Sequence, residues 1–363
     1  MKKLLVVVGT RPNFVKVTRF KEVAARRGDV QVEIVHTGQH ADHAMTTVFF
    51  EQFGMRPDHW LDIRTDASID RMGHISSALG PIVRSSGPDA MVVVGDVDST
   101  LAAANTAHEL GVPLVHLESG LRNHDKSLPE EVNRVRIDRI TDHFLVTEPS
   151  GRQNLLKEGA DPTAIHLVGN TMIDTLVAFA DRIERDPVLD RMGLGEGGHV
   201  LMTIHRQATV DDPVQLDRLV DLIGTISPRH RVVFPMHPRT ANNMERMGRS
   251  ARLHALPGLH ICGPLEYFAF QRLLSTSAFV LTDSGGVQEE TTYRGIPCLT
   301  LRPNTERPVT VEEGTNELMP FDLATLQYAI HRIENGTFKK GRVPDLWDGH
   351  ATERIFDALI PVL

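Results

Sequence analysis

Phe279-Val280-Leu281-Thr282-Asp283-Ser284-Gly285-Gly286-Val287-Gln288-Glu289-Glu290 decides the fold. The run Phe279–Thr282 reads as a buried strand, and Ser-Gly-Gly then opens a helix that Gly295 ends. Paired glycines let backbone N–H groups approach a phosphate, and the helix N-terminus adds partial positive charge there. An ordinary strand-to-helix turn is the plain alternative. Glu290, about one and a half turns further on, could accept the hydroxyl hydrogens of a ribose.

Outward from this element the same strand-then-helix unit recurs. Val200–Ile204, Arg231–Phe234 and Leu259–Cys262 precede it, and Pro297–Leu301 follows. Nearer the N-terminus stand Leu4–Val8, Val32–His36, Met91–Val94, Pro113–Leu117, His143–Val146 and Ile165–Val168. Helical stretches such as Phe14–Ala25 and Ser99–Leu110 lie between them, the latter stopped by Gly111. Continuous apolar strands alternating with helices predict parallel sheets covered on both faces. A polar helical segment, Thr171–Arg185, and the patch Gly193–Gly198 mark a composition shift, so the domain boundary is expected after Asn170. The expected class is α/β, two Rossmann-like doubly wound domains with the ligand in the cleft facing their strand ends.

A length of 363 residues fits roughly two domains. Apolar residues make up 41% and charged residues 24%, a globular mixture. The net charge of -8 argues against nucleic acid as a partner. No apolar stretch approaches the ~20 residues that cross a membrane, and Leu4–Val8 is too short for a signal core. The two cysteines, Cys262 and Cys298, suit a reducing compartment, so a cytoplasmic location is expected.

The strand ends carry the chemistry. Gly9-Thr10-Arg11-Pro12 follows the first strand; Arg11 can grip an anion bidentately and Lys16 adds a second charge, unless both are surface cations. Gly95-Asp96 and Leu117-Glu118 each end a strand with an acid. Pro129-Glu130-Glu131 adds two acids on a loop opening a helix, where Glu131 reads first as a dipole complement. Converging acids suit proton transfer at a carbon, one group removing a proton while another serves the opposite face. His205-Arg206 and His237 end strands of the second series. There is no metal-ligand spacing among the histidines and cysteines, and no dinucleotide, Walker or hydrolase-elbow motif, so neither a metal nor a cofactor is expected.

Together these segments resemble the non-hydrolysing UDP-N-acetylglucosamine 2-epimerase family. The matching pieces are Gly9-Thr10-Arg11-Pro12 with Lys16, Gln39-His40, Gly95-Asp96, His116-Leu117-Glu118-Ser119-Gly120-Leu121-Arg122 and Pro129–Arg134. Gly169-Asn170-Thr171, His205-Arg206, Asp283–Glu290 and Thr305-Glu306-Arg307-Pro308 complete a set that spans nearly the whole chain in family order. The resemblance implies a GT-B-like architecture and a homodimer that feeds polysaccharide precursors. It also implies that a C-terminal helix returns to the first domain, making the domains 1–170 plus 350–363 and 171–349. The implied reaction removes the carbon-2 proton of a UDP-2-acetamido sugar, eliminates UDP to a 2-acetamidoglucal and adds UDP back after reprotonation. It assigns catalysis to Asp96, Glu118, Glu130 and His205. It gives the diphosphate to Arg11, His205, Ser284, Gly285 and Gly286, the ribose to Glu290, and the sugar's surroundings to Arg307. Lys16, Glu131, Arg206 and His237 join the candidate binding residues.

Departures accompany the match. Many bacterial members read His-Arg-Arg-Glu where this chain has His205-Arg206-Gln207-Ala208, and carry a glutamine near Asp66-Ala67-Ser68. The arginine and the glutamine serve a second nucleotide-sugar site in those enzymes. Asn13 also stands where they have glutamate. Two competing readings are a UDP-sugar glycosyltransferase of the same fold and a hydrolysing 2-epimerase. The acid set, larger than one acceptor base requires, separates the first from an epimerase.

Overall fold

The computed structural model describes residues 1–38, 50–61, 63 and 68–363, with the backbone alone for 68–70. The chain forms two compact units, Met1–Ala178 with Asp345–Leu363, and Phe179–Pro344. The first holds β1 (Lys2–Val8), β2 (Val30–His36), β3 (His59–Trp60), β4 (Ala90–Val94), β5 (Leu114–Leu117), β6 (His143–Val146) and β7 (Ile165–Leu167). Their order is β3-β2-β1-β4-β5-β6-β7, and each pairing is parallel. The second unit holds β8 (His199–Thr203), β9 (Arg231–Pro235), β10 (Leu259–Cys262), β11 (Ser277–Thr282), β12 (Cys298–Thr300) and β13 (Asn316–Leu318). Its order, β10-β9-β8-β11-β12-β13, is again parallel.

The doubly wound α/β expectation holds in both units. Central strands such as Ala90–Val94 are buried end to end, as a sheet covered on both faces requires. Each strand order reverses beside the unit's first strand, between β1 and β4 and between β8 and β11. Loops leaving neighbouring strands diverge at that switch point and open a crevice at the carboxyl ends.

Several details differ from the sequence reading. β3 and β13 are too short to show a pattern of their own. The stretch Phe14–Ala25 is two helices, Arg11–Val15 and Phe20–Arg27. Thr171–Arg185 also divides, into Thr171–Ala178 and Ala180–Glu184, and its first half is buried rather than polar. The two compact units meet in sequence at that break. The helix Ala351–Leu359 lies in the first unit, where Asp174 accepts hydrogen bonds from the Ala351 and Thr352 N–H groups at 2.9 and 2.6 Å. Phe356 packs edge-on against Phe20 with ring centres 5.5 Å apart.

Candidate active site

In the first unit the loop after β1 meets the ends of β4 and β5. The Thr10 N–H and hydroxyl both donate to Asn13 Oδ1, at 3.2 and 2.7 Å, and Asn13 Nδ2 donates to the Val94 carbonyl at 2.9 Å. Asn13 thus ties the loop bearing Arg11 to the end of β4. Gly95 has φ +69°, and a Cβ there would lie 3.0 Å from Asn13 Nδ2 and 3.8 Å from both Glu118 Oε2 and Lys16 Nζ. A side chain at this position would be strained and would crowd the site.

Glu118 has φ +71°, a conformation costing an ordinary residue roughly 1–2 kcal/mol. Its carboxylate is buried and lies 2.5 Å from the Lys16 ammonium. Asp96 is bonded through its carboxylate by Arg134, and its carbonyl accepts from Asn133 Nδ2 at 3.0 Å. Both partners sit on the helix Pro129–Asp138, whose first turn carries Glu130. Glu130 is exposed. Glu131 is buried, accepting from the Asn123 and His124 N–H groups at 3.1 and 3.0 Å and from Arg134 at 2.5 Å. Its carboxylate therefore braces the turn before the helix, more than the dipole complement read from sequence.

The second unit places its own candidates at its switch point. Asp283, at the end of β11, is fully buried. It accepts from the His205 and Arg206 N–H groups at 2.9 and 2.8 Å and lies 3.0 Å from His205 Nδ1. Arg206 Nε donates back to the Asp283 carbonyl at 2.9 Å. Burial pushes the Asp283 carboxyl up, but the hydrogen bond and charge of His205 with the backbone donors outweigh it and leave it below the usual range. The His237 ring lies 5.8 Å from that of His205, and its Nδ1 accepts from the Arg239 N–H at 3.2 Å.

Ser284 caps the helix Gly285–Arg294, whose left-handed C-cap is Gly295. A Cβ on Gly285 would fall 2.6 Å from Glu306 and 2.8 Å from Arg307. Beneath the turn, Arg307 pairs with Glu289 at 2.9 Å and with Glu306, which Arg302 holds at 2.8 Å. The helix N-terminus and the Arg307 guanidinium are thus close neighbours, an arrangement suited to an anion. Glu290 is buried on the same helix. Burial, only partly offset by Gln271 and Arg294, pushes its carboxyl up to about 7.

The family model described as UDP-N-acetylglucosamine 2-epimerase matches residues 22–360. The chain is 33% identical over 359 residues to the UDP-N-acetylglucosamine 2-epimerase of Methanocaldococcus jannaschii, covering 97% of each protein. It is 35% identical over 322 residues to the UDP-2,3-diacetamido-2,3-dideoxy-D-glucuronate 2-epimerase of Pseudomonas aeruginosa, covering 87% of this chain and 88% of that one. The crystal structure of the M. jannaschii enzyme with UDP-GlcNAc and UDP matches at a TM-score of 0.89 and 32% identity, covering 98% of this chain and 99% of that one. The chain belongs to the UDP-N-acetylglucosamine 2-epimerase family.

Within this family the fold is GT-B-like and the chemistry is 2-epimerisation of a UDP-sugar. Gln39-His40 and Asp66-Ala67 lie outside the described residues. Asn13, Asn133, Arg134 and Asp283 were assigned no function in the sequence reading, where they figured only as members of matched segments or, for Asn13, as a departure, yet they hold the epimerase candidates in place. Asp283, a residue that ends a strand and precedes Ser-Gly-Gly, carried the one legible signal. No described helix is long and apolar enough to cross a membrane.

Proposed function

We propose that this chain interconverts the carbon-2 epimers of a UDP-2-acetamido sugar, UDP-GlcNAc and UDP-ManNAc or a close derivative, by eliminating and re-adding UDP. The observation that carries the reading is the pair of strand-end acids, Asp96 and Glu118, each held by a cation, Arg134 and Lys16. A proton on carbon 2 is removed on one face and returned on the other, so two acid–base groups are needed. Glu130, exposed on the adjoining helix turn, is the third. The turn Ser284-Gly285-Gly286 with Arg307 takes the diphosphate, Glu290 the ribose, and His205 stabilises UDP as it leaves. Arg11 adds charge to the diphosphate, and Arg206 and His237 line the same seat. The relative from P. aeruginosa is named for a diacetamido uronate, which widens the substrate class to derivatised 2-acetamido sugars. We extend to the chain the homodimer and the supply of polysaccharide precursors that the resemblance implies.

The test is incubation with a panel of UDP-2-acetamido sugars in heavy water, followed by NMR. Both recovered epimers should carry deuterium at carbon 2, with slow leakage of UDP and the glucal. Interconversion without label removes the mechanism, and release of the free 2-acetamido sugar as main product replaces it with hydrolysis.

A further inference from the structure

His116 is fully buried on β5, and oxygen faces both of its ring nitrogens. Nδ1 lies 2.6 Å from Asp138 Oδ1, and Nε2 lies 2.9 Å from the Gly95 carbonyl. A carbonyl only accepts, so Nε2 carries a hydrogen. The other oxygen of Asp138 takes the Gly120 N–H at 3.0 Å and the Arg122 guanidinium at 2.7 Å. Two donors on one oxygen, one of them a guanidinium, favour the ionised form of the Asp138 carboxyl whatever the state of the ring. An ionised carboxylate has no hydrogen to give, so Nδ1 must donate as well. Arg122 is held in turn by Glu158 at 2.9 and 2.7 Å. The run Glu158, Arg122, Asp138, His116 alternates fully in sign only when the ring is a cation.

The carbonyl that Nε2 holds belongs to the Gly95–Asp96 peptide. The helix Pro129–Asp138 therefore reaches Asp96 by three routes: Arg134 to its carboxylate, Asn133 to its carbonyl, and Asp138 through His116 to the peptide before it. We propose that His116 is a positioning residue of the acid site, a doubly protonated imidazole locked by Asp138 that fixes the Gly95–Asp96 peptide and so aims the Asp96 carboxylate. The aiming role rests on the epimerase reading above; the proton count does not.

The full chain labelled with 15N-histidine tests both halves. His116 signals are assigned by their loss in His116→Gln, or, should that variant not fold, by the single histidine that shifts most in Asp138→Asn. At about neutral pH both of its ring nitrogens should have the shift of a protonated nitrogen. One unprotonated nitrogen overturns the proposal. In kinetics His116→Gln should lower kcat by about 100-fold, the scale of a misplaced catalytic group, while UDP affinity stays within about twofold. An unchanged kcat, or an equal loss of UDP affinity, overturns the aiming role. Should the wild type act on no UDP-sugar, the epimerase reading fails while the nitrogen shifts still decide the proton count.

Discussion

The Lys16 ammonium stands 2.5 Å from Glu118 Oε2, and both side chains are almost wholly shut off from water. A buried ion pair is stable only as a pair, because removing one partner leaves the other charge desolvated. Lys16→Met and Glu118→Gln should each destabilise the first unit, by about 3–5 kcal/mol where the charge left behind stays ionised. The double variant Lys16→Met/Glu118→Gln should lose less than the sum, since its second change removes the orphaned charge. Strict additivity in thermal or denaturant unfolding would show that the two groups do not couple.

Glu130 offers the opposite case. It is exposed, and among the described residues its side chain braces no turn as that of Glu131 does. Glu130→Gln should therefore leave the melting temperature near that of the wild type while cutting turnover by at least ~100-fold, the scale of a positioned acid or base. Glu131→Gln should do the reverse, lowering the melting temperature first. A Glu130→Gln enzyme with full turnover would strike that residue from the acid group.

These contrasts mark what the sequence could and could not disclose. Asp96, Glu118 and His205 were legible because each ends a run of apolar residues, and in a parallel sheet strand ends form one rim. Their supports were not legible. Arg134 reaches Asp96 across 38 positions and His116 reaches Asp138 across 22, and neither separation leaves a periodic trace. Asn13 figured only as a departure from glutamate, yet its amide both accepts and donates, which lets it join Thr10 to Val94. The break in the helical segment at Phe179 was hidden because residues on both sides favour helix, and tertiary packing decided it.

Glu290 and Asp283 should shape the pH dependence of stability with opposite signs. The carboxyl of Glu290 is raised to about 7 in the folded chain. Between about pH 4.5 and 7 the native state then holds more protons than the unfolded one, so its contribution to stability falls as pH rises. Glu290→Gln should flatten that decline and weaken UDP binding. Asp283 is lowered, so its contribution is complete above roughly pH 4 and is lost as acid titrates it. Asp283→Asn should flatten the acid limb. Denaturant midpoints across pH check both, and reversed slopes would refute the assignments.

Gly285 packs against the charge network beneath the candidate diphosphate seat. A methyl group at 2.6 Å from Glu306 and 2.8 Å from Arg307 must displace one of them, and both are buried. Gly285→Ala should weaken UDP binding by on the order of tenfold or more, since tenfold corresponds to only about 1.4 kcal/mol. Ser284→Ala, which removes a hydroxyl without forcing any movement, should weaken it less. Calorimetry with UDP separates them, and equal affinities for both variants would mean that Arg307 does not face the nucleotide.

The same unit carries the departure that bears on regulation. Gln207 and Ala208 open the short helix Gln207–Val210 and are exposed, where bacterial relatives place Arg and Glu. A guanidinium that grips a diphosphate bidentately is not replaced by a neutral amide. The Arg206 guanidinium is anchored through Nε on the Asp283 carbonyl, in the seat proposed above for the substrate's own UDP. A nucleotide-sugar effector would then bind a second site too weakly to bias the enzyme's conformational equilibrium. Epimerisation should start from the manno epimer alone, without a lag, and follow hyperbolic kinetics. A lag abolished by a trace of gluco epimer, or a sigmoidal rate curve, would show that a second site persists on other residues. Restoring the pair as Gln207→Arg/Ala208→Glu gives the complementary test: if the charge is what is missing, sigmoidal behaviour should return in that variant.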